Sequence, residues 1–405
     1  MTPSSGDLSN GFSLNKQITI IIMNKQYYIG LDVHKETIAI AYTHAHSRNK
    51  PTFYKTCSGS NLSCERNLRK LAKELDLKIQ DLKICYEAGP TEFVLARHLI
   101  SLGVDCVICS PSRTERNPNK PIKTDKRDAQ KLAKLFKNGD ITEVRIPPAL
   151  DEAVRDVCRL RTDTMDHLSR VRQQLLSFLL RNGIKWSGKS NWTPSHMRYL
   201  RKLKMQSNPH HIVLEEYIQA VDSAQERLTR VKERLVALLN DWEWKPVVKA
   251  LMACKGFQEV AAMTIISELG DLRRFKNPRQ LMAFVGLVPS EHSSGGTRRQ
   301  GAITKCGNSH VRWMLIECAQ HFRKVPKISP ALTTRQIGIS KEVKELSWRM
   351  QHRLNKRYMS LKMRQKEDNK CIVAVARELS AFIWELVNKC NLTIPEQELT
   401  VHLES

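Results

Sequence analysis

The chain has 405 residues, and 66 Lys+Arg against 41 Asp+Glu give a formal net charge of +25, which points to a polyanionic partner, nucleic acid first. A hydrophobic fraction of 41% supplies real cores and excludes wholesale disorder, while no apolar run approaches the roughly 18 residues of a membrane span, so no membrane partner is expected. Eleven cysteines, an odd number without a framework, read as a reducing, cytoplasmic compartment.

Residues 1–22 are Ser/Gly/Asn-rich and then apolar; they are expected to be a disordered extension, with Met23 the biological start. Strands are expected at 27–32, 37–42 and 52–56, followed by a helix over 61–75. A strand over 82–87, a helix ending near Leu102, a strand over 104–109 and a helix over 124–137 follow. Three adjacent strands and then alternating strands and helices imply a mixed sheet flanked by helices.

From 150 to 245 the period changes. Leu168, Val171, Leu175 and Phe178 recur at helical spacing, as do Leu214, Tyr217, Val221, Ala224, Leu228, Val231, Leu235 and Leu238. That predicts a long helical hairpin or a coiled coil, with pairing between chains preferred over an internal bundle. After Trp244, Lys255-Gly256-Phe257 and the helix to Gly270 resemble a helix–hairpin–helix, although Gln258 stands where a second glycine is usual. A short helix over 277–285, a polar Gly-containing loop over 286–308, a helix over 309–323 and an apolar-striped helix over 371–387 complete the chain. Residues 327–367 carry eleven Lys+Arg against three acids, with Trp348 and Tyr358 among them; the two rings read as base-stacking or as helix packing.

Two groups of residues carry chemistry. Asp32 and Glu87 end strands, and Asp125 and Asp128 share one face of a helix's first turn. Converging carboxylates repel each other and favour Mg²⁺, with Mn²⁺ as an alternative. Each acid alone is also an ordinary cap or turn residue. Between Pro111 and Lys137, however, nine Lys+Arg surround three acids, as a metal that must meet a phosphate backbone would require. The second group is the loop containing Ser293-Ser294-Gly295-Gly296 and Arg298-Arg299, with Lys305 and Arg312 downstream. It offers hydroxyls and guanidinium forks for phosphate, and a surface phosphate-binding loop is its simpler reading. Lys123, Lys126 and Arg127 are further nucleic-acid-binding candidates.

Gly30-Leu-Asp32-Val-His-Lys35, Tyr86-Glu87-Ala-Gly89, Lys123-Thr-Asp125-Lys-Arg-Asp128-Ala129 and Gly286-Leu-Val-Pro289…Ser293-Ser294-Gly295 occur in that order. Together they resemble the DEDD insertion-sequence transposases of the family numbered one-ten, relatives of the pilin-gene inversion recombinase. The tail, with Trp348, Arg353, Tyr358 and Phe382-Ile-Trp384, is similar to the eleven-eleven branch. The resemblance runs from about Lys25 to Val387. It implies an α/β RuvC-like (RNase H-like) domain over 23–148, a coiled-coil linker over 149–245, a mainly helical transposase domain over 246–390 and a tail over 391–405. It further implies a metal-binding catalytic set of Asp32, Glu87, Asp125 and Asp128, and a nucleophilic Ser294, with Ser293 as the fallback. Attack by the serine on DNA would give a phosphoserine and a free 3′-hydroxyl for excision and integration, with Arg298 and Arg299 stabilising charge. Partners implied are donor and target DNA, a noncoding guide (bridge) RNA, and further copies of the chain as a dimer of dimers. Two other readings compete: a RuvC-like nuclease using water alone, and a non-catalytic nucleic-acid scaffold.

Other groups weigh less. Cys106-x-x-Cys109 has zinc-like spacing but reads as core packing on a strand. His34 reads as a strand-end surface residue, with a supporting role at the acids the alternative. His210 and His211 read as loop residues.

Overall fold

The computed structural model describes residues 26–110 apart from 90 and 92, then 124–294 and 297–395, with the backbone alone at 292–294 and 297–299. Lys123 and residues 1–22 lie outside the described residues, as do 396–405 of the tail. The chain divides into two compact units, 1–146 and 147–405.

The first unit is a mixed sheet with helices. Its elements are β1 (Tyr27–Val33), β2 (Thr37–His44), β3 (Thr52–Ser58), α1 (Asn61–Glu74), β4 (Leu82–Glu87), α2 (Val94–Ser101), β5 (Asp105–Cys109), α3 (Asp125–Asn138) and β6 (Glu143–Val144). The strand order is β3-β2-β1-β4-β5-β6. β1 pairs antiparallel with β2 and parallel with β4, and β4 is parallel to β5. The central strands are apolar on both sides because both faces are covered. Ile29, Leu31, Ile84 and Tyr86 join Leu68, Leu71, Leu95 and Leu99 of α1 and α2 in one buried cluster. Cys85, Val107 and Cys109 face Leu132 of α3 on the other side. Cys106 and Cys109 thus fall in clusters on opposite faces, which excludes a shared metal and leaves both as core.

Gly30 sets how closely α3 approaches. A Cβ there would lie 2.3 Å from the Ala129 carbonyl oxygen and 2.4 Å from the Ala133 amide nitrogen. Only glycine lets helix backbone sit directly on β1 at this point. Farther back the Phe136 ring meets Tyr28 edge-on at 5.2 Å. α3 therefore runs antiparallel over β1, and its first turn overhangs the end of the strand.

The second unit is largely helical. Its first elements are α4 (Ala149–Arg181), α5 (Pro194–Lys202) and α6 (Asn208–Leu238). Leu168, Val171, Leu175 and Phe178 of α4 pack against Leu214, Ile218, Val221 and Ala224 of α6. The apolar stripes thus bury each other in one antiparallel hairpin within the chain, the internal form of the two that the periodicity allowed. His210 and His211 correct an expectation, since they lie in the first turn of α6, where the Ser207 hydroxyl accepts from the His210 amide.

The remaining elements are α7 (Lys245–Met252), α8 (Glu259–Leu269), α9 (Pro278–Phe284), β7 (Pro289–Ser294), β8 (Thr297–Ile303), α10 (Ser309–Ala319), α11 (Pro330–Arg335), α12 (Lys341–Met363) and α13 (Asp368–Lys389). α7 to α10, α12 and α13 share one large core that includes Trp242, Trp244, Phe257, Phe322 and Tyr358. Buried Asp151 accepts from both Trp indoles, at 2.8 Å from Trp242 and 3.2 Å from Trp244. The α7–α8 turn is a helical hairpin that needs glycine once. Gly256 has φ +93°, and a Cβ would lie 2.8 Å from the Cys318 carbonyl oxygen. Gln258 is extended, so no second glycine is required there. Among the described residues no helix is long and apolar enough to cross a membrane.

Candidate active site

Leu31 of β1 registers with Tyr86 of β4, so Asp32 and Glu87, each one residue on, end two adjacent parallel strands. Adjacent strands lie about 4.8 Å apart. Alternation puts both acids on the face of Gly30 and Cys85, the face that α3 covers. Asp125 and Asp128 occupy the first turn of α3, behind a Thr124 cap whose hydroxyl accepts from the Arg127 amide. All four acids thus belong to one end of the first unit.

The structure gathers them unequally. Ligand atoms of Asp32, His34 and Asp125 lie within 4.8 Å of one another. His34 Nε2 is 3.3 Å from Asp32 Oδ2 and 3.7 Å from Asp125 Oδ1. Glu87 and Asp128 lie outside that tight group. Burial pushes the Asp32 carboxyl above its ordinary range; the nearby carboxylates of Asp128 and Asp125 push the same way, and His34 opposes them. Two carboxylates and an imidazole, with His34 and Asp125 exposed and Asp32 half-buried, form a donor set that suits a divalent cation entering from solvent. His34 is the residue that sequence reading underweighted. It directly follows β1, which ends at Val33, and its closeness in sequence to Asp32 at that strand end was the available signal.

The second unit holds the serine segment, and here the structure corrects the expected loop: β7 (Pro289–Ser294) and β8 (Thr297–Ile303) pair antiparallel. Backbone register pairs Ser294 with Thr297, Ser293 with Arg298 and His292 with Arg299. Gly295 and Gly296 lie outside the described residues, as do the side chains of Ser293, Ser294, Arg298 and Arg299. The hairpin's base is pinned. Gly286 (φ +67°) and Gly307 (φ +73°) sit so close to the Cys306 and Phe284 carbonyl oxygens that a Cβ would approach to 2.2 and 1.9 Å. Arg312 Nη1 donates to the Val285 and Cys306 carbonyl oxygens, both at 3.2 Å, so part of this guanidinium is engaged in holding the hairpin. Asn308 caps α10 and donates to buried Glu268 at 2.6 Å, where Arg159 forks onto the same carboxylate. Lys305 is exposed, as are Lys126 and Arg127; the Lys126 ammonium lies 5.0 Å from the Phe53 ring.

The profile described as Transposase IS116/IS110/IS902 family matches residues 248–332, and a DEDD transposase profile of the IS110 type matches residues 29–182. A protein of Sinorhizobium fredii (strain NBRC 101917 / NGR234) named as transposase y4qE is 35% identical over 369 residues, covering 91% of this chain and 90% of its own length. This chain belongs to the IS110 family of transposases. The transposase for insertion sequence element IS1533 of Leptospira borgpetersenii is 31% identical over 350 residues, covering 85% of this chain and 99% of the relative. The transposase for element IS1111A of Coxiella burnetii (strain RSA 493 / Nine Mile phase I) is 26% identical over 239 residues, 55% of this chain and 61% of the relative. As an IS110-family transposase the chain is a DNA-acting recombination enzyme. Its acid end and its serine hairpin lie within the two matched regions.

Proposed function

We propose that this transposase cuts and rejoins DNA at its insertion-sequence ends by serine attack within a RuvC-like acid site. In this reading Asp32, Glu87, Asp125 and Asp128 hold Mg²⁺, or Mn²⁺ in its place. The observation that carries it is the overhang of α3 at Gly30, which brings Asp125 within reach of Asp32 and His34. A cation bound there supplies Lewis-acid polarisation of a phosphodiester oxygen. The protein's own part is to position. Asp32 and Glu87 are carried by neighbouring strands and Asp125 and Asp128 by one helix turn, so the acids share one end of the first unit, Asp32 and Asp125 close together, where a DNA phosphate would meet them.

Ser294 is the proposed nucleophile. Its hydroxyl loses a proton, its oxygen bonds to phosphorus, and the 3′ oxygen leaves and takes up a proton. The phosphoserine conserves the bond for rejoining, and the reverse attack by a 3′-hydroxyl restores the serine. Support comes from the hairpin register, which sets Arg298 opposite Ser293, the neighbour of Ser294. Arg298 and Arg299 are proposed to stabilise charge on the transferring phosphate. A noncoding guide RNA that pairs with donor and target DNA, and a dimer of dimers in which one protomer's acids serve another's serine, complete the proposal; the net charge of +25 supports a large nucleic-acid load.

The experiment is a denaturing-gel assay for covalent protein–DNA adducts on insertion-sequence ends. Ser294→Ala is expected to abolish the adduct and Ser293→Ala to retain it. Asp32→Asn and Asp125→Asn are each expected to abolish cleavage. Metal-dependent cleavage that survives Ser294→Ala and Ser293→Ala together would establish the water-using nuclease instead. Sequencing of RNA that copurifies at low salt tests the guide: the expected species matches the flanks of the encoding element.

A further inference from the structure

The basic, aromatic tract at 327–367 divides into two faces once folded. On α12 the arginines are engaged by the fold. Arg349 pairs with Glu385 at 2.7 Å, and Arg353 and Arg357 share Glu378 at 3.0 and 3.1 Å, all across the α12–α13 packing. Tyr358 is core: it is buried, and its hydroxyl donates to Asp368. Val343, Leu346, Met350 and Leu354 complete that inner face.

The opposite face is different. Lys344, Trp348, His352, Lys356, Met359 and Met363 recur at three- and four-residue intervals and form one exposed stripe. Trp348 is 42% exposed, Met359 44% and Met363 80%. The His352 ring meets the Trp348 ring at 4.4 Å and 75°, which props the indole and limits its swing. Lys344 and Lys356 make no ion pair among the described residues, unlike Lys341, which pairs with Glu345 at 3.7 Å. The two lysines are twelve residues apart, or about 18 Å along the helix, with Trp348 between them.

We infer that this face of α12 binds single-stranded DNA, with Trp348 stacking on an unpaired base and Lys344 and Lys356 meeting phosphates on either side. Charge complementarity selects the occupant. The cations facing α13 are neutralised by glutamates, whereas those flanking the exposed indole are left for a polyanion. Unpaired bases select single strands, since a base inside a duplex has both faces already stacked. The inference rests on the family's action on DNA, and not on the acid or serine chemistry proposed above. The class of substrate is strand-exchange DNA whose bases have been opened.

The test uses the full chain and a single-stranded DNA 12-mer carrying 4-thiothymidine. Photo-crosslinking followed by peptide mass spectrometry is expected to place the adduct on the peptide containing Trp348. In fluorescence anisotropy, Trp348→Ala is expected to weaken binding of the unmodified 12-mer about tenfold, and Trp348→Phe to retain most of the affinity. The double substitution Lys344→Gln, Lys356→Gln is expected to reduce the salt slope by about 1.4, or roughly 0.7 for each phosphate no longer neutralised. Unchanged affinity in Trp348→Ala would overturn the inference. So would a loss as large for duplex DNA, a larger loss for RNA of the same sequence, or a change in oligomeric mass on sedimentation showing that a second copy covers this face. The cleavage mechanism is read from covalent adducts on insertion-sequence ends and this surface from the 12-mer affinity of Trp348→Ala, so failure of the one and failure of the other are distinguished.

Discussion

Gly30→Ala is the most direct perturbation of the acid site, because it adds one methyl group and touches no catalytic side chain. The new Cβ would stand 2.3 Å from the Ala129 carbonyl oxygen and 2.4 Å from the Ala133 amide nitrogen, where ordinary contact begins at 3.4 Å. Both atoms are helix backbone and cannot rotate aside, so α3 must retreat by about 1 Å. Overpacking of this kind costs about 1–3 kcal/mol. The same retreat lifts Asp125 away from Asp32, and a 1 Å misplacement in a catalytic set costs on the order of 100-fold in rate. Urea denaturation of the full chain is expected to show the stability loss, and Mn²⁺ titration followed by electron paramagnetic resonance a weaker site. Gly139→Ala is the control. Its φ of +74° also disfavours alanine, but a Cβ there has nothing within 4 Å, so stability falls while Mn²⁺ affinity holds. A Gly30→Ala protein with unchanged stability and unchanged Mn²⁺ affinity would refute the close-approach argument.

Three further outcomes are expected. His34→Ala removes the imidazole between Asp32 and Asp125 and should weaken Mn²⁺ binding more than Mg²⁺ binding, since nitrogen donors favour the softer ion; equal effects in parallel titrations would exclude ligation by His34. Asp151→Leu strands the indole N–H groups of Trp242 and Trp244 and should lower stability by about 2–4 kcal/mol in denaturant melts; a loss below about 1 kcal/mol would mean the indoles find other acceptors. Buried His196 accepts from the Trp192 amide at 3.0 Å, and burial lowers its pKa from the ordinary 6.5. The neutral ring therefore contributes stability that is fully present above pH 6.5 and lost as pH falls below it. His196→Gln should flatten that part of the stability–pH profile, and an unaltered profile would assign the dependence elsewhere.

The order of strands and helices in the first unit is readable because its signals are local. A short apolar run over Tyr27–Val33, the β-rich pattern of Thr37–His44, a Thr124 cap and Gly139 after α3 each act within a few residues. The serine segment reads as a loop from sequence because Gly, Ser and Arg are weak strand formers, and the hairpin is held by its base, through Gly286, Gly307 and Arg312, rather than by propensity. The a/d rhythm of α4 and α6 is visible, but periodicity states only that a stripe must be covered. It does not state by which chain.

From the order of its residues alone, this protein's charge, the strand–helix order of its first unit and the helical rhythm of α4 and α6 could be read, since each depends on composition or short-range spacing. Which groups meet was decided by tertiary structure: His34 between Asp32 and Asp125, the stripes of α4 and α6 closed on each other, and Trp348 left outside while Tyr358 went in. The physical reason is that burial and ion pairing depend on what a distant segment places opposite a side chain. Glu378 and Glu385 neutralise the arginines of α12 from another helix, and no local pattern in α12 encodes that.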